Sequence, residues 1–565
     1  MRQRARCSSA KRGVKAPRAI PGEDVSSRGM SALPATLITA ALAAQAPTAS
    51  ESAPKPHNVL MVVLDDVGVD LLETYERLDV ARGRPAGQPA STPAIQQLLA
   101  DQGLTFTNAW VSPKCSPTRA QLLTGKFSLR NGIGSVVRSE PIESAANPGL
   151  SFDTVLLPQR LAAAPTPYSS AAVGKWHLAA IDQLTAHPGH ALGLPAGTWF
   201  DEFAGSALNL EPLVRGEGAP SGYFQWRKTY ASSTGRATPC PDGTPCQLEW
   251  RVPPTAHYAT VDTTEDALAL MATLPEPWFL YVAYNAVHAP FHVPPTELPA
   301  APCLAPELAP GPCELPAEGN TNPYRVRCTL AALDQQLGRL LCAHDAADTT
   351  VIVVGDNGTP PDATLPPFTP DRGKGTMYEG GARVPLFIRS PLLAKERRGA
   401  VESRLVNSVD LHATVLELAR APQLASALDG VSLVPYLLRG DGPTLRSESY
   451  ADGFFPNFQP TASGAPPEGY VCSFHNQTLR DERFKLIRRV GRSQRELERL
   501  TRSEEFYDLL EGGAPDTSVA PPRPRPDWFE RNDLLASGKP LSEVAQRAYE
   551  RLSRNLSERY PSLVR

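Results

Sequence analysis

Four short apolar runs, each closing on polar residues, constrain this chain more than any other feature. NVLMVVL (58–64) stops at Asp65 and Asp66. SAAV (170–173) leads into Gly174, Lys175, Trp176 and His177. WFLYVAY (278–284) leads into Asn285 and His288, and TVIVV (350–354) into Gly355, Asp356 and Asn357. A run apolar on both faces belongs to a parallel sheet covered by helices, and helical patterns lie between these runs. The predicted fold is therefore α/β, with a large, mainly parallel central sheet flanked by helices. In open α/β sheets the ligand site lies beyond the carboxyl ends of the strands, which would bring the four clusters to one edge. Singly, each ending is also an ordinary turn or helix cap. Four in one chain are hard to explain as four separate turns.

Asp65, Asp66, Asp356 and Asn357 offer only oxygen donors, a set suited to a hard cation, calcium ahead of magnesium, rather than zinc. Three carboxylates so placed would repel one another unless a divalent ion neutralised them. A separate stretch, KCSPTRAQLLTG (114–125), reads as a short helix beginning just after Cys115, with Ser116 as N-cap, Pro117 as first helical residue and Gly125 as the stop. Cys115 would sit at the helix N-terminus with Arg119 on the same face. Two readings fit that position: a buried, inert cysteine, or a thiolate nucleophile activated by the helix end and the arginine.

Length and charge narrow the class. At 565 residues the chain can form one large domain and a smaller one. Its formal net charge is −3, but residues 1–46 carry eight Arg/Lys against two acids, a net of +6, so the remainder stands at −9. An acidic body without a basic stripe argues against nucleic acid as a partner. Within residues 1–46, a basic stretch precedes ALPATLITAALAAQA, which ends in an A-x-A pattern at Ala44–Ala46. This reads as a targeting signal for export to a periplasmic or extracellular space, with Met1 or Met30 as the start, and no later segment reads as a membrane span. Cysteines fit an oxidising compartment: Cys240 with Cys246, and Cys303 with Cys313, are spaced for local disulfides. Cys328 and Cys342 share a predicted helix and stand roughly 21 Å apart along it, too far to bridge each other.

With these residues set out, the chain resembles the type I sulfatases of the alkaline phosphatase superfamily. Cys115-Ser116-Pro117-Thr118-Arg119 matches their C-x-P-x-R signature. NVLMVVLDD, GKWHL, HAPFHVP, VVGDNGT and GKGTMYEGGARVP follow in the family's order, and ERFKLI and EEFYDL look like its C-terminal strands. The resemblance implies a catalytic α/β domain at 47–435 and a smaller α+β subdomain with an antiparallel sheet at 436–565. It implies that a separate maturation enzyme converts Cys115 to formylglycine, reading Cys115, Pro117 and Arg119. The aldehyde's hydrate would attack the sulfur of a sulfate ester, and its second hydroxyl would then expel sulfate. Carried over residue by residue, Asp65, Asp66, Asp356, Asn357 and the modified Cys115 would ligate calcium, and Arg119 would hold the hydrate. Lys175 and Lys374 would bind sulfate oxygens, His177 would assist the hydrate, and His288 would protonate the leaving alcohol.

Three departures fall on the substrate pocket. Lys126 stands where the family often has arginine, Ser206 is a poor match to a further sulfate-binding residue, and the proline-rich stretch 360–372 does not align. Other readings of the same motifs are a phosphodiesterase or phosphonate monoester hydrolase, and an inactive binding relative that keeps the fold.

Overall fold

The computed structural model describes residues 56–564 apart from 82–87, 139–146, 152, 179–198, 211–212, 214–220, 234–247, 252, 306–318, 423–427, 493–499, 517–522 and 528. The predicted targeting segment and the Cys240/Cys246 pair lie outside the described residues. Asn58–Leu64, Ser169–Lys175, Trp278–Ala283 and Thr349–Gly355 are all strands, buried along their whole length. They lie side by side and parallel, with Asn58–Leu64 between Thr349–Gly355 and Trp278–Ala283, and Ser169–Lys175 outside the latter. Register levels their ends: Leu64 faces Gly355, Val63 faces Ala283, and Ala283 faces Gly174. That register is what brings the polar endings together.

Outside this parallel centre, one flank adds Arg383–Arg389 and Leu104–Trp110, antiparallel in turn, with Ala400–Glu402 and Val406–Asn407 both parallel to Leu104–Trp110. The other adds Glu202–Ser206, parallel, then Thr229–Ser233 and Leu248–Arg251, antiparallel. The result is an eleven-stranded mixed sheet. RVPLFIR (383–389) is as apolar as the central runs, because burial on both faces sets composition but not strand direction. Alternate side chains feed two cores. Val59, Met61 and Val63 pack with Leu122, Leu123, Leu411 and Val415, while Leu60, Val62 and Leu64 pack with Leu330, Leu333 and Leu337 of the Asn322–Cys342 helix.

Residues 56–565 group as one compact unit. Within it, Ser449–Phe455, Phe474–Arg480, Phe484–Arg492 and Leu500–Asp508 form a separate four-stranded antiparallel sheet. The Glu543–Arg559 helix lays Leu552 and Leu556 on Leu479, Leu486 and Phe506 of that sheet. The expected antiparallel C-terminal sheet is present, and FKLI and EEFYD are two of its strands.

One cysteine expectation is corrected. Cys303 bonds Cys342, not Cys313, with Cα atoms 5.6 Å apart. Spacing along the chain favoured the near partner, but the 298–304 segment folds back over the end of the Asn322–Cys342 helix, where Gln335 and Gln336 donate to the Leu298 and Pro299 carbonyls. Cys328 is also disulfide-bonded.

Candidate active site

The helix spans Cys115–Thr124, its start two residues earlier than expected. Lys114 is the N-cap, and Gly125 closes the helix in the left-handed conformation at φ 67°. Ser116 does not cap. Its hydroxyl instead accepts from the Val137 amide at 3.1 Å, tying the 136–138 segment to the start of the helix. Cys115 thereby lies beyond the ends of the four parallel strands, buried, with its Sγ 3.4 Å from His177 Nδ1. The other ring nitrogen, Nε2, is 2.9 Å from the Val137 carbonyl oxygen, which can only accept. The Nε2 proton is therefore fixed there, and Nδ1 turns its lone pair to residue 115. Burial first, then Lys175 and Arg119, holds the imidazole well below its ordinary pKa, so it is neutral.

Burial also raises the Cys115 thiol, and Lys175 and Lys374 do not reverse that. A thiolate nucleophile is not what this environment produces.

Around the cysteine, three carboxylates meet three cations. Lys175 Nζ lies 2.5 Å from Asp65 Oδ2. Arg119 donates to Asp356 Oδ2 through Nε at 3.0 Å and Nη2 at 2.7 Å, and to the Lys175 carbonyl at 2.8 Å. Lys374 pairs with Asp66 Oδ1. Repulsion among the acids is thus answered in part by the chain's own cations, so it is a weaker argument for a metal than the sequence suggested. Burial would raise Asp65, yet Lys175, His288 and Arg119 hold it far below the usual carboxylate range; burial and then Asp65 push Asp356 up to about 7.

A better test of the cation is which oxygens lack donors. Asp65 Oδ1 and Asn357 Oδ1 are buried and accept no hydrogen bond. Ligand atoms of Asp65, Cys115 and Asp356 lie within 4.8 Å of one another. Two orphaned hard oxygens beside that cluster fit an oxygen-loving divalent ion. Asp66 (φ 65°) and His177 (φ 59°) hold left-handed backbone at a non-glycine residue, the kind of local strain that gathers at functional sites. Gly174 (φ 86°) precedes Lys175 because a Cβ there would fall 2.0 Å from the Ala283 carbonyl oxygen.

His288 sits at the rim, half-buried. Its Nδ1 lies 2.7 Å from the Ala289 carbonyl, which leaves Nε2 free, and burial and then Lys175 lower its pKa. Its loop is held by Tyr223, whose hydroxyl is 2.5 Å from the Asn285 carbonyl and 2.9 Å from that of His288. Ser206, the weak candidate, lies beside Lys175 in the neighbouring strand and accepts from Asn285 at 3.2 Å. The structure thus brings every expected site residue to one edge of the sheet. Tyr223, Val137 and Lys114 were missed, since nothing in their local sequence marks them.

Comparison with known proteins bears directly on this arrangement. The family model described as Sulfatase matches residues 57–421. The chain belongs to the sulfatase family. It is a sulfuric ester hydrolase in that sense, and relatives agree in class. Arylsulfatase J of Mus musculus is 26% identical over 494 residues, covering 85% of this chain and 71% of its own. N-acetylgalactosamine-6-sulfatase of Homo sapiens is 28% identical over 420 residues, covering 69% and 67%. Among solved structures, the PsFucS1 sulfatase from Pseudoalteromonas sp. superposes with a TM-score of 0.56 at 18% identity, covering 90% of this sulfatase and 91% of that chain, a likeness of fold.

Proposed function

We propose that this sulfatase cleaves sulfate esters through a formylglycine made from Cys115, with calcium held by Asp65, Asp66, Asp356, Asn357 and residue 115. The observation that carries the reading is Cys115 itself: a thiol kept protonated by burial, first in a C-x-P-x-R helix, faced by the lone pair of a fixed, neutral histidine. The hydrated aldehyde would supply an oxygen nucleophile that the protonated thiol does not, and the cation would supply charge to hold it. His177 Nδ1 takes the proton from residue 115. Lys175 and Lys374 bind the sulfate oxygens, and Arg119 fixes Asp356 and the edge of the Lys175 strand. Asp65 and Asp66 would hold the cation as well as their lysines, so Lys175 and Lys374 would be shared between those carboxylates and sulfate. His288 Nε2 delivers a proton to the leaving oxygen.

Residues 47–435 carry the chemistry in this reading, and 436–565 brace it. Glu530 supports the bracing: its side chain accepts from the Glu379 amide at 2.6 Å, and Arg372 donates to the Phe529 and Glu530 carbonyls. Both ends of the segment bearing Lys374 are therefore held from the C-terminal part. The Cys303–Cys342 disulfide supports export through residues 1–46. Maturation by a formylglycine-generating enzyme belongs to the same proposal.

Turnover of 4-nitrophenyl sulfate beside 4-nitrophenyl phosphate tests the reading. Hydrolysis of the sulfate with a much higher kcat/KM is expected. Preference for the phosphate would move the protein to the phosphoester relatives, and turnover of neither would leave a binding protein.

A further inference from the structure

The three acids of the site are matched by Lys175, Arg119 and Lys374, yet two further cations stand beside the nucleophile position without such a match. Lys114 is the N-cap residue directly before Cys115, and Arg138 follows Val137, whose carbonyl holds His177. Backbone contacts draw their segments together. The Val137 amide donates to Ser116 Oγ at 3.1 Å, and the Gly375 amide donates to the Pro113 carbonyl at 2.7 Å. Segments 113–116, 136–138 and 373–376 therefore meet at one side of Cys115, each bringing one cation: Lys114, Arg138 and Lys374.

Lys374 pairs with Asp66. Among the described residues, neither Lys114 nor Arg138 has an ion-pair partner. The Lys114 ammonium lies over a ring face, with its Nζ 5.8 Å from the Phe474 centroid. Arg138 is exposed and Lys114 half-buried, so solvent reaches both. Cations carried on segments that meet in this way are normally paired. Two without an ion-pair partner among the described residues, in a chain whose body is net acidic, call for an anion from outside.

The scissile sulfate monoester carries a single charge, and Lys175 and Lys374 already serve it in the proposed function, on which this inference rests. We infer that Lys114 and Arg138 form a second anion subsite, so that the preferred substrate carries another negative group, a carboxylate or a second sulfate, close to the sulfate that is cleaved. Neutral aglycones leave the two cations unanswered. A substrate with the second anion gives them charge-assisted hydrogen bonds.

The experiment compares 4-nitrophenyl sulfate with its 2-carboxy and 3-carboxy analogues, in the protein and in Lys114→Gln, Arg138→Gln and the double variant. Conversion of Cys115 is measured by mass in each preparation, because Lys114 adjoins it. The readout is the ratio of kcat/KM for the better carboxylated probe to that for the plain one. Leaving-group differences between probes cancel when this ratio is compared across variants. The double variant is expected to lose about tenfold or more of the ratio, the scale of one charge-assisted hydrogen bond, chiefly through KM. Raising salt should shrink the ratio in the protein more than in the double variant. An unchanged ratio in the double variant overturns the subsite. So does a protein that prefers 4-nitrophenyl phosphate and loses that preference on substitution, since the cations would then serve the second charge of the scissile group. Arg138→Gln alone is an exposed change that keeps the fold and reads out half of the effect. Absence of turnover of every sulfate in fully converted protein overturns the functional reading itself, an outcome distinct from a lost ratio.

Discussion

Adding calcium to metal-stripped protein should stabilise it along a slope that the structure sets. Asp65 Oδ1 and Asn357 Oδ1 are buried acceptors without donors, and each such group costs about 1–3 kcal/mol until something satisfies it. An ion bound there binds the folded chain only, so above its dissociation constant each tenfold rise in free calcium adds about 1.4 kcal/mol of stability. The folded unit runs from Pro56 to Arg565, which is 510 residues. At about 2.1 cal/mol/K of unfolding entropy per residue, that is about 1.1 kcal/mol/K. Each decade of calcium should therefore raise Tm by about 1.3 °C. The assay is calorimetry after exhaustive chelation, over four decades of free calcium, with magnesium in parallel. Asn357→Ala should shift the onset to higher calcium while keeping the slope. A flat Tm across all four decades for both ions, with no metal found by elemental analysis, would refute the cation site.

Further outcomes follow from particular contacts. His288→Ala should depress kcat/KM for poor leaving groups far more than for 4-nitrophenyl sulfate, because a good leaving group needs little protonation; equal losses across a leaving-group series would contradict the acid role. The His288 pKa is lowered, so its proton-bearing form is lost as pH rises through a value below 6.5. The alkaline limb of kcat/KM for poor leaving groups should fall there and vanish in the alanine variant. Replacing both Cys303 and Cys342 by serine opens a 39-residue separation and should cost about 4 kcal/mol, or roughly 3–4 °C at the slope above, with activity at 25 °C retained. Glu530→Ala should raise KM for sulfate esters through the Lys374 segment, while Glu530→Gln, which keeps an acceptor for the Glu379 amide, should recover much of it.

How much of this was legible before the structure depends on what each residue's environment writes into sequence. Burial on both faces makes NVLMVVL and its three counterparts readable, and parallel register then carries Asp65, Lys175 and Asp356 to one level without further instruction. The antiparallel flanks were not readable, because RVPLFIR looks like any buried strand. Nor was the pairing of Cys303 with Cys342, since a fold-back through space leaves no spacing rule. Electrostatics were read in halves: the acids stood out as a cluster, but their cations come from three distant segments, so their mutual neutralisation was invisible. Lys114 and Tyr223 matter through what they touch, Cys115 and the His288 loop, and local composition does not announce that.

The state of residue 115 tests the central claim most directly. Trypsin releases Cys115-Ser116-Pro117-Thr118-Arg119 as one peptide. Its mass and its reactivity distinguish an aldehyde, lighter than the thiol form and captured by hydrazides, from a thiol captured by alkylating reagents. The account predicts that active protein carries the aldehyde and that specific activity rises in proportion to the converted fraction, across preparations made with and without a maturation enzyme. Fully active protein whose peptide is entirely unmodified, alkylatable Cys115 would contradict it.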